Sequence, residues 1–169
     1  MALFSTKIDN LQQLFVEQLR DLYDGEQQMI RALPKLIDKA SNFALKTALQ
    51  EHLEVTRDQA IRLEKMLAEL GEKSSGESCK GMAGVIAEGD HLVSRGGDPS
   101  VTDACIITSA QRVEHYEIAG YGTVKTYARQ LGRANFAQIL EQTLEEEKEA
   151  DQKLTQLSDT INQQAREAA

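Results

Sequence analysis

Six side chains in this sequence share a property that acidic and imidazole groups seldom have. Glu26, His52, Glu114, Glu117, Glu147 and Asp151 all interrupt apolar stripes of helical period. Glu114 and Glu117 are spaced i,i+3, and Glu147 and Asp151 i,i+4, so each pair lies on one helix face. An isolated carboxylate in an apolar core is very costly, and several at one depth repel one another until most take up protons. Cations relieve both penalties. A set of carboxylates with one imidazole suits iron, manganese or zinc. Six such side chains equal in number the set that holds two metal ions inside helical bundles.

The stripes define the elements that must position these groups. Ile8, Leu11, Phe15, Leu19, Leu22, Met29, Leu33 and Ile37 predict a first helix over 7–39, with Pro34 as a kink or brief interruption and Glu26 on the inward line. Ser41-Asn42 can cap a second helix over 42–70, whose stripe passes through His52, Thr56 and Gln59 before Gly71 stops it. Residues 71–98 read as a crossover with a short helix over 79–94. Asp98-Pro99 then opens a third long helix over 99–130 that carries Glu114 and Glu117. A fourth follows over 133–165, with Glu147 and Asp151 on its inward side.

Short turns near 41 and 132 make two antiparallel αα-hairpins, and the long 71–98 connection is the topology of a ferritin-like bundle. The fold class is therefore all-α, a four-helix bundle in one domain over 1–169. Depth supports the same grouping. Glu117 and Glu147 are each about 15 residues, or about 22 Å, from the turn between them. Glu26 lies about as far before the other turn, and His52 to Thr56 lie within one helical turn of that distance beyond it.

Composition agrees with this architecture and excludes several functions. Leu, Ala, Glu, Gln and Lys, all strong helix formers, dominate the 169 residues. The net charge of −8 and pI near 4.9 argue against nucleic acid or an anionic membrane as partner. No apolar run reaches the length of a bilayer span. The segment Met1–Lys7 lacks the charged-then-apolar form of a leader. Cys79 and Cys105 form no CxxC and read as reduced thiols of a cytoplasmic protein.

Two other readings of the acids stand beside metal binding. One is a proton-sharing or arginine-paired cluster. Against it, Arg20, Arg31, Arg57, Arg62, Arg112 and Arg129 all fall away from the inward lines. The other is a non-enzymatic structural or stress scaffold in which the acids do no chemistry. A redox role for Cys79 or Cys105 is a third and weaker idea. Tyr23, Tyr116 and Tyr121 are placed to approach the acids. Gly120 and Gly122 point to close backbone approach at a helix or dimer contact. Glu146 falls at the edge of a solvated face, and His115 and His91 read as exposed or structural.

The strings Asp21-Leu22-Tyr23-Asp24-Gly25-Glu26, His52-Leu53-Glu54-Val55-Thr56, Gln111-Arg112-Val113-Glu114-His115-Tyr116-Glu117-Ile118-Ala119 and Thr143-Leu144-Glu145-Glu146-Glu147-Lys148 resemble the YciE/YciF family of bacterial stress-response proteins. The resemblance covers nearly the whole chain. It implies a ferritin-like fold related to rubrerythrins, a cytoplasmic homodimer, and a metal site in the bundle. By position it supports Glu26, His52, Glu114, Glu117 and Glu147, and Asp151 less so. Val55 stands where some relatives carry Glu, and Arg57 where a Glu-x-x-His would place its histidine. The function expected is a di-metal, most simply di-iron, carboxylate protein that handles iron, peroxide or O2. If it is an enzyme, it is a rubrerythrin-like oxidase or peroxidase.

Overall fold

The computed structural model describes residues 7–76 and 78–168; of the segment read above for a leader, only Lys7 lies among them. Five helices follow in order: α1 (Leu11–Lys39), α2 (Phe43–Glu69), α3 (Lys80–Ser94), α4 (Pro99–Gln130) and α5 (Ala134–Glu167). Helices α1 and α2 form one antiparallel hairpin and α4 and α5 the other. The hairpins meet along the α1/α4 and α2/α5 seams, and α3 lies across α1 and α4.

The helix ends follow from local chemistry. Asn10 begins α1 by accepting a hydrogen bond from the Gln13 N–H, so Ile8 precedes the helix and is exposed, although it fits the apolar stripe. Pro34 does not interrupt α1. It sits on the exposed side, where water can reach the carbonyl freed by its missing N–H. Asn42 and Asp98 cap α2 and α4, and Pro99 takes the first position of α4. Gly71 and Gly132 leave α2 and α4 with φ of 74° and 70°, the left-handed conformation that glycine adopts without strain.

Two contacts fix the long pieces against each other. Buried Asp103 of α4 accepts hydrogen bonds from the Ser41 and Asn42 N–H groups and from the Ser41 hydroxyl, which pins the α1–α2 turn. At Gly120, an added Cβ would lie 2.7 Å from Leu22 Cδ2, so the expected close approach of α4 to α1 occurs there. Gly122 has open space around it.

The apolar core is in two parts. One end of the bundle packs Met29, Leu33, Leu45, Leu49, Ile106, Leu154 and Ile161, with Met82 of α3 added. The other packs Phe15, Leu19, Leu63, Leu67, Val124, Phe136 and Leu140. Fully burying each such side chain contributes about 1.5–3 kcal/mol. Between the two parts, at mid-bundle, the inward positions are polar. Among the described residues, no helix is long and apolar enough to cross a membrane.

Candidate metal centre

His52 of α2, Glu114 and Glu117 of α4, and Glu147 of α5 converge in the polar middle. Each offers a ligand atom, and these atoms all lie within 4.8 Å of one another. The fourth long helix contributes Glu26, which is equally buried and stands beside the group. Asp151 is one turn beyond Glu147 on α5 but lies at the rim. It accepts a hydrogen bond from Gln111 Nε2 at 3.1 Å and faces the exposed His115, 3.5 Å away. The structure thus gathers four of the six sequence candidates, keeps Glu26 adjacent and leaves Asp151 outside. His91 and His115 are exposed.

The central atoms lack hydrogen-bond partners. Glu26 Oε2, His52 Nε2, Glu114 Oε2 and Glu147 Oε2 are buried and unbonded. His52 Nε2 is 3.3 Å from Glu114 Oε1, without the alignment a hydrogen bond needs. Buried polar atoms in native proteins nearly always find partners; here ligand-type atoms on all four long helices lack one, with the Gln59 Oε1 of α2 unbonded beside them, and such a group fits cations. The donor set, carboxylate oxygen with imidazole nitrogen, is that of iron, manganese or zinc.

The titration chemistry follows from burial. Loss of water, then the charge of Glu147, pushes Glu26 well above the usual carboxylate range; the Tyr121 hydroxyl and Arg62 oppose the shift. Glu114 is pushed up by burial and then by Glu147, and Glu117 by burial and then by Glu26 and Glu147. His52 moves the other way, since burial disfavours its cation, with Glu147 acting against that. In the absence of a metal ion, protons take over part of the neutralisation.

Groups around the site hold the acids in place. Tyr121, fully buried, donates to Glu26 Oε1. Gln59 Nε2 donates to Glu147 Oε1 and, at 3.2 Å, to Glu146. Arg62 binds Glu146 through both terminal nitrogens, at 2.6 and 2.9 Å, and donates to Thr143 Oγ1 at 3.1 Å. Arg62 corrects the expectation that arginine stays clear of the acids. Its Cβ points off the inward line, but the long side chain brings a positive charge within reach of Glu26. Glu146, expected at the edge of a solvated face, is its partner. Gln59 was visible as an interruption of the α2 stripe; nothing in the spacing marks Arg62.

Cys79 caps α3 and is buried. Its thiol lies 3.1 Å from both Asp21 Oδ2 and the Tyr116 hydroxyl, and burial pushes it up. A thiol held protonated in this way is a poor nucleophile, which argues against the redox role considered for it.

A family profile described as "Domain of unknown function (DUF892)" matches residues 10–167. Protein YciF of Escherichia coli K12 is 40% identical over 161 residues, covering 94% of this chain and 97% of that protein. The crystal structure of the E. coli stress protein YciF superposes with a TM-score of 0.88 at 39% identity, over 92% of this chain and 99% of that one. YcfI of Rhodopseudomonas palustris, described as a candidate structural protein, gives 0.86 at 43% identity, over 90% and 97%. A ferritin-like, diiron-carboxylate protein of Bacillus anthracis gives 0.66 at 16% identity, over 89% and 99%, a likeness of fold alone.

Proposed function

We propose that this chain, which belongs to the YciE/YciF family described as a domain of unknown function (DUF892), is a stress-response protein that binds two metal ions, most simply iron, at its bundle centre. Glu114, Glu117, Glu147 and His52 hold the ions, and Glu26 completes the set from α1. The observation that carries this reading is the cluster of orphaned buried carboxylate and imidazole atoms to which every long helix contributes. Charge supports it too. Four ionised carboxylates, Glu26, Glu114, Glu117 and Glu147, balance two divalent cations.

Iron bound there supplies one-electron redox chemistry towards O2 or peroxide. The residues do the rest. Tyr121 fixes one oxygen of Glu26 and leaves the other without a partner. Gln59 does the same for Glu147. Arg62 and Glu146 pair with each other on the α2/α5 side, which limits the net charge that Arg62 presents to the site. The apolar packing above and below the acids excludes water and strengthens each of these interactions. Asp151, at the rim, acts on Glu114 by its charge and stands as an outer acid.

Anaerobic titration of metal-free protein with Fe(II), and with Co(II) as a spectroscopic substitute, tests this reading: about two ions per chain are expected, and no binding would overturn it. Gln59→Leu keeps the fold but leaves Glu147 without its donor. Its affinity in the same titration is expected to fall about 10–100-fold, the range for partners that orient a ligand. A non-enzymatic scaffold is the second reading, favoured by the description of the R. palustris relative. It predicts that the titration finds nothing.

The same proposal takes the protein as a cytoplasmic homodimer. Analytical ultracentrifugation checks it.

A further inference from the structure

Three sides of the site are closed by packing. Helix α3 covers the α1/α4 seam, with Cys79, Met82 and Val93 buried beneath it. Helices α1 and α2 close together as one hairpin, and α4 and α5 as the other. The α2/α5 seam has no covering helix among the described residues. A cleft of about 180 Å³ lies in it, lined by Ala48, Val55 and Ala150, with the acids Glu51, Glu146 and Glu149 and the partly exposed Lys153. At roughly 30 Å³ per molecule this space admits several waters.

His52 also lines that cleft. Its side chain is nine-tenths buried, and its unpartnered Nε2 lies 3.3 Å from Glu114 Oε1. One imidazole therefore touches the cleft and the carboxylate group together. Above it, Lys153 of α5 binds Glu51 of α2 across the seam, while Glu149 is exposed and faces no cation.

We propose that divalent cations reach the carboxylate group through the α2/α5 cleft, drawn in by Glu149 and passed to the site at His52. The inference rests on the metal reading above and adds the path to it. Small side chains at Ala48 and Ala150 leave room for a partly hydrated ion. With Glu51 and Glu146 held by Lys153 and Arg62, Glu149 is the wall acid that raises the local concentration of cations. The Glu51–Lys153 pair stands at the mouth, where its opening widens the way in.

Stopped-flow mixing of metal-free protein with Co(II), paired with equilibrium titration, separates path from site. Ala150→Leu fills the cleft and replaces no ligand. Its loading rate is expected to fall about tenfold, because a step that needs structural opening slows association, while its equilibrium affinity stays within about twofold. Glu149→Lys, on an exposed position that cannot compromise folding, is expected to slow loading about threefold at low salt, a difference that disappears at high salt. Ala83→Leu, placed in the cleft beside α3, is expected to change neither rate nor affinity. The path is overturned if Ala83→Leu slows loading, or if Ala150→Leu and Glu149→Lys both load at the parent rate. Parent protein that binds no Co(II) overturns the metal reading and the path with it.

Discussion

Protein carrying Glu114→Gln and Glu147→Gln together is expected to lose more than about a hundredfold in Fe(II) or Co(II) affinity and yet to melt higher than the metal-free parent. The two effects have one cause. An amide oxygen is neutral and a much weaker ligand for these cations than a carboxylate. On the proposed ligand set, removing two of the converging acids removes anions that would hold the ions. Without metal, however, those same acids are buried beside one another, each with an unbonded oxygen. An unsatisfied buried polar group costs about 1–3 kcal/mol. The new amides can donate to Glu26 and Glu117, so a gain of about 2 kcal/mol in the metal-free state is reasonable. For a chain of this length it corresponds to about 4–8 °C in Tm. Calorimetric titration and scanning calorimetry read the two effects separately. A variant that binds metal like the parent, or one that melts well below it, would count against this ligand set.

The second large effect is a reversal of pH dependence by metal. Glu26, Glu114 and Glu117 are all raised well above the ordinary value of 4.5. The folded chain therefore binds protons that the unfolded chain releases. Stability from these groups is complete below about pH 4.5 and is lost as pH climbs through their raised values. His52 is lowered from 6.5, so it works in the opposite sense, and its share is lost as pH falls below 6.5. Above pH 6.5 only the carboxylates act, and the Tm of metal-free protein is expected to fall between pH 6.5 and 8.5. Bound metal requires ionised acids, so saturated protein is expected to hold or gain stability over that interval. At a free metal concentration a thousand times Kd the added stability is about 4 kcal/mol, or about 8–16 °C. Parallel pH slopes with and without Fe(II) would show that the acids do not meet the metal.

The bundle and the convergence of its acids were legible because they are periodic. Each long helix buries one face, so a polar group on that face stands out, and equal distances from two tight turns set the depth. Glu26, Glu114, Glu117 and Glu147 met both conditions. What escaped depended on reach or on single hydrogen bonds. Arg62 starts off the inward line and arrives by the length of its side chain. Asp151 fits the stripe, but its carboxylate turns to the α4 side, to Gln111 and the exposed His115, although Leu154 and Ile161 beyond it are buried. Ile8 fits the stripe of α1, yet one bond donated by the Gln13 N–H to the Asn10 side chain starts the helix later. Cys79 was placed at the start of the crossover helix, but its contacts with Asp21 and Tyr116 join segments far apart in sequence.

The division of the apolar core has a consequence for how the chain comes apart. One half gathers the ends of the helices near the α1–α2 turn and the other those near the α4–α5 turn, with the acids between. A layer of mutually repelling groups transmits little cohesion from one half to the other. In metal-free protein, amide hydrogens in the two halves are expected to exchange with separate opening energies, as two units rather than one. If ions bind there as proposed, they act as a rivet across the middle, and exchange in both halves is expected to converge on a single, slower opening.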